Sequence, residues 1–197
     1  MNWSNGIKDS RGYFKDSEIF KILSTTYLFR KPKISKRSII NVLEIGTFEG
    51  VLDVYFSSFA SMIHTVDPFD MSETTTKIAS DTEKNFLENK NNARFGSRIN
   101  QFKMTSDKYF SICETNFDFI YIDGNHEPNQ VLRDLENAMR HINARGYIWI
   151  DDYKSGYKNL KQIVDTWIMK NVNKIEIVHS GYQLGTQVVS KYSNMWV

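Results

Sequence analysis

The chain has 197 residues, 41% of them hydrophobic and 24% charged, with a net charge of +2; that suits one domain with a sizeable core, not two, and gives no global field for nucleic acid. A single cysteine, Cys113, excludes an internal disulfide and multi-cysteine zinc sites, and fits a reduced, cytoplasmic interior. The N-terminus lacks the apolar segment of a signal peptide and no apolar run reaches membrane-spanning length, so neither secretion by that route nor a membrane is expected.

Residues 1–37 read as an N-terminal helix and a basic linker, and residues 38–197 as the domain. Ile19, Phe20, Ile22, Leu23 and Tyr27 recur at helical spacing until Pro32 stops them. Arg30 to Arg37 carries five cations in eight positions, a solvated linker on the simpler reading and an anionic partner surface on the sharper one.

From residue 38 the pattern alternates. SIINVLEIGT (38–47) is an apolar run ending in a turn, and GVLDVYFSSFASM continues as a helix. MIHTVDP (62–68) predicts a second strand before the helical KIASDTEKNFLENKNN, and INQFKMTS (99–106) a third before the short helix DKYFSICET. FDFIYID (117–123) is nearly all apolar, as a strand covered on both faces should be. PNQVLRDLENAMRHIN places Val131, Leu135, Ala138, Met139 and Ile142 along one helix face, with Pro128 where a first turn tolerates it. GYIWIDDY (146–153) predicts the fifth strand, GYKNLKQIVDTWIMKN a helix, and KIEIVHSGYQLGTQVVSKY two strands without a crossover, hence antiparallel. The sum is an α/β fold: a doubly wound, mainly parallel seven-stranded sheet with a C-terminal antiparallel hairpin.

Ligands in such sheets bind beyond the carboxyl ends of the strands, and the distinctive polar residues fall there: Glu44 and Gly46, Asp67, Ser106 and Asp107, Asp123, then Asp151 and Asp152. Gly46 permits a tight turn and Gly50 a close approach to a ligand as the next helix starts. LEIGTFEG matches neither the phosphate loop nor the dinucleotide fingerprint. Three carboxylates at adjacent strand ends would repel one another unless a cation neutralised them, and a hard divalent ion such as magnesium suits oxygen ligands. The alternative is that Asp152 caps the following helix. GNHE (124–127) spells a metallophosphatase motif, but neither GD nor GHxH occurs among the four histidines, His64, His126, His141 and His179.

VLEIGTFEG followed by VDPF resembles the first motifs of class I S-adenosylmethionine-dependent methyltransferases, which are Rossmann-like. The aromatic between the glycines is similar to the metal-dependent O-methyltransferases, and IDGNH with IDDY resembles those acting on sugar hydroxyls of macrolide and aminocoumarin antibiotics. The resemblance spans roughly residues 38–193. It implies that Glu44 and Gly46 contact the methionine part of S-adenosylmethionine, that Asp67 bonds the ribose hydroxyls, that Ser106 or Asp107 lies by the adenine, and that Thr47 and Gly50 also belong to the cofactor site. It further implies that Asp123, Asp151 and Asp152 bind a divalent metal and that His126 is the general base, an imidazole being able to accept a proton near neutral pH. The expected acceptor is a sugar or other small molecule with vicinal hydroxyls; no nucleic-acid or membrane partner is expected, and a homo-oligomer is allowed. A metal-independent or N-methyltransferase, and a non-catalytic cofactor-binding scaffold, are the competing readings. His64, His141, His179 and Cys113 read as structural, while Tyr153 and Tyr157 are candidates to line a substrate pocket.

Overall fold

Among the described residues, runs of β-branched and aromatic residues form seven strands: β1 Asn41–Ile45, β2 Met62–Val66, β3 Ile99–Phe102, β4 Phe117–Ile122, β5 Ile142–Ile150, β6 Ile175–Ser180 and β7 Leu184–Val188. Between them lie α1 Val51–Ser57, α2 Thr82–Asn92, α3 Ser106–Ile112, α4 Pro128–His141 and α5 Leu160–Lys170. The computed structural model describes residues 6–9, 40–70 and 81–189. The expected N-terminal helix at Ile19 to Tyr27 and the basic stretch Arg30 to Arg37 lie outside these.

The sheet order is β3-β2-β1-β4-β5-β7-β6. β1 pairs in parallel with β2 and β4, and β3 and β5 extend the sheet on either side. β7 runs antiparallel to both β5 and β6, so six strands point one way and one the other. The final strand thus slots between its hairpin partner and β5. Gly185 makes this fit: a Cβ there would stand 2.2 Å from Trp149 Cζ3.

Alternate strand residues serve two cores. Leu43, Ile45, Ile120, Ile122, Ile148 and Ile150 pack under α3, α4 and α5, with Leu135 and Trp167 from the helices. Val42, Phe119, Tyr121 and Trp149 turn to the opposite face, beneath α1 and α2. Full burial of each such side chain contributes about 1.5–3 kcal/mol, and the two covered faces explain why the parallel strands lack a polar alternation. No helix among the described residues is long and apolar enough to cross a membrane.

The fifth strand begins four residues before the expected 146. It follows α4 without a loop, Ile142 pairing with Phe117, and a bulge between Phe117 and Phe119 restores register. Arg145 takes φ 67° in that stretch. Asp151 and Asp152 consequently fall just past the strand end. α4 starts at Pro128 as expected, and the Glu127 side chain caps it by accepting from the N–H groups of Asn129 and Gln130.

Candidate functional site

Strand order reverses between β1 and β4, which opens a crevice at their carboxyl ends. The loops leaving these two strands touch. Gly46 has φ +84°, and a Cβ on it would stand 1.9 Å from the Asp123 carbonyl oxygen, so only glycine lets the two loops lie this close. Phe48 and Gly50 also adopt positive φ, 51° and 70°. This contorted loop and the start of α1 enclose a recess lined by Glu44, Gly46, Thr47, Phe48, Glu49, Val51 and Leu52.

Asp67, directly after β2, accepts from the Phe48 N–H at 3.0 Å and from the Phe69 N–H at 2.6 Å, tying the first two strand-end loops together. Burial raises its pKa, against the pull of these N–H groups. Beneath the recess, burial lifts Glu44 well above the usual carboxylate range, with Asp53 adding to the effect. Asp53, on the otherwise apolar α1, is pushed up to about 6 by burial. Thr47 and Thr65 share a hydrogen bond between their hydroxyls beside this pair.

Ser106 and Asp107 open α3 and are tied to α4. Gln130 Nε2 donates to Ser106 Oγ at 3.1 Å and to Asp107 Oδ1 at 3.3 Å, and also to Asp134 Oδ1 at 3.1 Å. Asp134, buried in α4, is raised to about 6, mainly by burial.

At the ends of β4 and β5, Asp123, His126 and Asp152 each bring one ligand atom within 4.8 Å of the others. His126 Nε2 stands 2.9 Å from Asp152 Oδ2 and 3.6 Å from Asp123 Oδ1. Burial pushes Asp123 up to about 7 against the pull of the neighbouring His126 imidazole. Burial works to lower the pKa of His126, but Asp123 and Asp152 outweigh it and raise the imidazole to about 9. The two carboxylate oxygens are donors suited to a hard divalent cation, and the imidazole nitrogen lies beside them.

This trio differs from the expected three acids, because Asp151 does not join it. Its Oδ1 accepts from Gln183 Nε2 at 2.8 Å and from the Asp152 N–H at 2.9 Å, and Tyr121 bonds it as well. Asp151 therefore braces the turn that presents Asp152. Asp152 itself sits at φ 54° and accepts from the Tyr182 hydroxyl. It does not cap a helix, since α5 begins at Leu160 behind Asn159.

Of the two tyrosine candidates, Tyr157 stacks on His126 with centroids 4.3 Å apart, whereas Tyr153 is buried and donates to Asp165 at 2.6 Å. His64 bonds Tyr109, His141 meets the Thr115 carbonyl and His179 stacks on Trp149, all away from the crevice. Cys113 packs half-buried against the core. Sequence reading missed Asp53, Asp134, Tyr182 and Gln183. Only Asp53 left a signal, as the one charge in the apolar run VLDVYF.

A family model described as a methyltransferase domain matches residues 43–153. An uncharacterized protein of Acanthamoeba polyphaga mimivirus is 29% identical over 144 residues, covering 69% of this chain and 59% of the relative, so the match spans less than two thirds of that protein. Among solved structures, the O-methyltransferase TomG from Streptomyces achromogenes, involved in tomaymycin synthesis and in complex with S-adenosylmethionine, superposes with a TM-score of 0.62 at 13% identity, over 95% of this chain and 93% of that one. An O-methyltransferase from Bacillus cereus in complex with S-adenosylhomocysteine gives 0.53 at 15% identity, over 79% and 77%. Identities this low show a common fold.

Proposed function

Since the chain belongs to the methyltransferase-domain family, with residues 43–153 matching it, we propose that it transfers a methyl group from S-adenosylmethionine to a hydroxyl of a small-molecule acceptor. The acceptor class is a vicinal diol, a sugar in preference to a catechol, and the second cofactor is a divalent cation, magnesium being expected. One observation carries this reading: Asp123, His126 and Asp152 meet at the crevice mouth beside the glycine-rich loop. Complexes of like-folded O-methyltransferases with S-adenosylmethionine and S-adenosylhomocysteine support the choice of cofactor.

Glu44 Oε2 is buried without a hydrogen-bond partner at the recess, a fit for the cationic methionine end of the cofactor. Gly46, Thr47 and Gly50 would shape the loop around that end, Asp67 would meet the ribose hydroxyls, and Ser106 or Asp107 the adenine. S-adenosylmethionine supplies an electrophilic methyl group on a sulfonium. Asp123 and Asp152 would hold the cation, with Asp151 steadying Asp152 from behind. The cation would supply polarisation of an acceptor hydroxyl, easing loss of its proton.

His126 Nε2 would accept that proton and the donor would supply the methyl group, the products being a methyl ether and S-adenosylhomocysteine. With only the two acids beside it, His126 is held protonated at neutral pH; it becomes a base once another positive charge compensates them. Tyr157, stacked on the ring, fixes its plane. Gathering both reactants in one crevice adds the advantage of proximity.

The test is transfer of labelled methyl from S-adenosylmethionine to a panel of sugars and catechols, with magnesium and with chelator. We expect transfer to vicinal diols that chelator abolishes and that His126→Gln lowers by roughly 10²–10⁴-fold. Transfer undiminished in chelator would replace this reading with a metal-independent methyltransferase.

A further inference from the structure

Asp53 is a fully buried carboxylate that the proposed chemistry does not use, and it abuts Glu44, which is 2% exposed. Glu44 lines the recess and Asp53 does not. Were both ionised, Glu44 Oε2 and both Asp53 oxygens would be buried without a hydrogen-bond partner; one proton between them lets the two acids pair. The groups facing them do not replace that proton. Thr65 from β2 is neutral, and Asp67 and Asp123 from neighbouring strand ends are themselves acids. Among the described residues, Lys90 of α2 is a cation that acts on Asp53, and its influence is smaller than those of burial, Glu44, Thr65 and Asp67.

We propose that Asp53 is a positioning residue that shares one proton with Glu44, and that this proton leaves when the cationic methionine end of S-adenosylmethionine enters the recess. The inference rests on the cofactor reading above. In the step, the carboxyl O–H bond breaks, the proton passes to the buffer, and the ammonium group of the ligand takes its place against Glu44; no electron changes hands. Burial raises both acids, Glu44 well above its ordinary range and Asp53 to about 6, so the shared proton favours Glu44. The unliganded protein thus keeps one negative charge beneath the recess and presents two to the ligand. Holding two there before binding would cost more, because like charges in a low-dielectric interior repel strongly.

Isothermal calorimetry of the whole chain with S-adenosylmethionine, in phosphate and in Tris, reads the proton count from the dependence of binding heat on buffer ionisation enthalpy. We expect release approaching one proton per ligand near pH 7, and affinity that rises with pH by up to about tenfold per unit until Glu44 ionises in the unliganded protein. In Asp53→Asn an amide faces Glu44 and favours its carboxylate, so release falls by at least about half. In Glu44→Gln, which supplies the measurement if the first variant fails to fold, release falls to near zero. Binding by the wild type without proton release, or release unchanged in the variants, overturns this inference and leaves the cofactor reading intact. No binding at any pH overturns both.

Discussion

His126 Nε2 lies 2.9 Å from Asp152 Oδ2, so one ion pair joins the loop after β4 to the loop after β5. Both residues hold their places through further partners, Tyr157 stacking on the imidazole and Tyr182 donating to the carboxylate. The crevice mouth is therefore a braced arrangement whose charge state depends on what shares it.

That dependence makes stability sensitive to pH in protein stripped of divalent ions. The folded pKa of His126, about 9, lies above its ordinary 6.5. Its stabilising proton is fully in place below about 6.5 and is lost as pH climbs through about 9. Asp123, raised from 3.8 to about 7, adds a decline of the same sign over the lower range. We expect the thermal midpoint of chelated protein to fall between pH 6.5 and 9, and to fall less steeply in His126→Gln. An unchanged slope in that variant would assign the effect to another group.

A divalent ion bound by Asp123 and Asp152 should stabilise the fold by mass action, about 2.7 kcal/mol at a hundred times its Kd. For a chain of this size that is roughly 5–10 °C in Tm. Scanning fluorimetry with magnesium or manganese should show the rise in wild type and little or none in Asp152→Asn or Asp123→Asn. A rise of equal size in both variants would place the ion elsewhere.

Two glycines separate a site effect from a packing effect. Gly46→Ala drives a methyl group into the Asp123 carbonyl at φ +84°, and Gly185→Ala drives one into the Trp149 ring. Each should lower stability by more than about 2 kcal/mol in urea unfolding. Only Gly46→Ala should lose S-adenosylmethionine affinity at temperatures where both stay folded, because Gly185 lies on β7, away from the recess. Equal losses of affinity would refute this division.

Asn89 on α2 is fully buried and binds three backbone groups: Oδ1 accepts from Lys8 N at 2.7 Å, and Nδ2 donates to Lys8 O at 2.8 Å and Glu49 O at 2.9 Å. It fastens the segment Gly6 to Asp9 and the glycine-rich loop to one helix. Asn89→Ala leaves these groups unpaired and should cost about 2–3 kcal/mol, read as a lower urea midpoint together with faster amide exchange at Lys8. A midpoint equal to wild type would show that the tether contributes nothing.

Most of the architecture was legible without coordinates. The parallel strands declare themselves as apolar runs, because both sheet faces are covered, and the helices by an apolar stripe such as Val131, Leu135 and Ala138. Boundaries were less legible. β5 starts at Ile142 because pairing with Phe117 extends it backward through Asn143 and Arg145, residues with no strand character of their own. The insertion of β7 between β5 and β6 likewise depends on how Gly185 meets Trp149, a contact between residues far apart in the chain.

What the sequence determined by itself is the fold class and the edge of the sheet where the distinctive polar residues gather, since hydrophobic period and strand-end position are local properties of the chain. Which polar side chains share that edge was decided by tertiary structure alone. Asp151 and Asp152 are neighbours in sequence, yet Gln183 of the C-terminal hairpin draws one into the sheet while a left-handed backbone turn sends the other to His126. Asp53 and Glu44, from a helix and a strand, meet only because α1 packs over β1. Side-chain direction and the proton affinities that follow from it are set by long-range packing and burial, and these have no local signature.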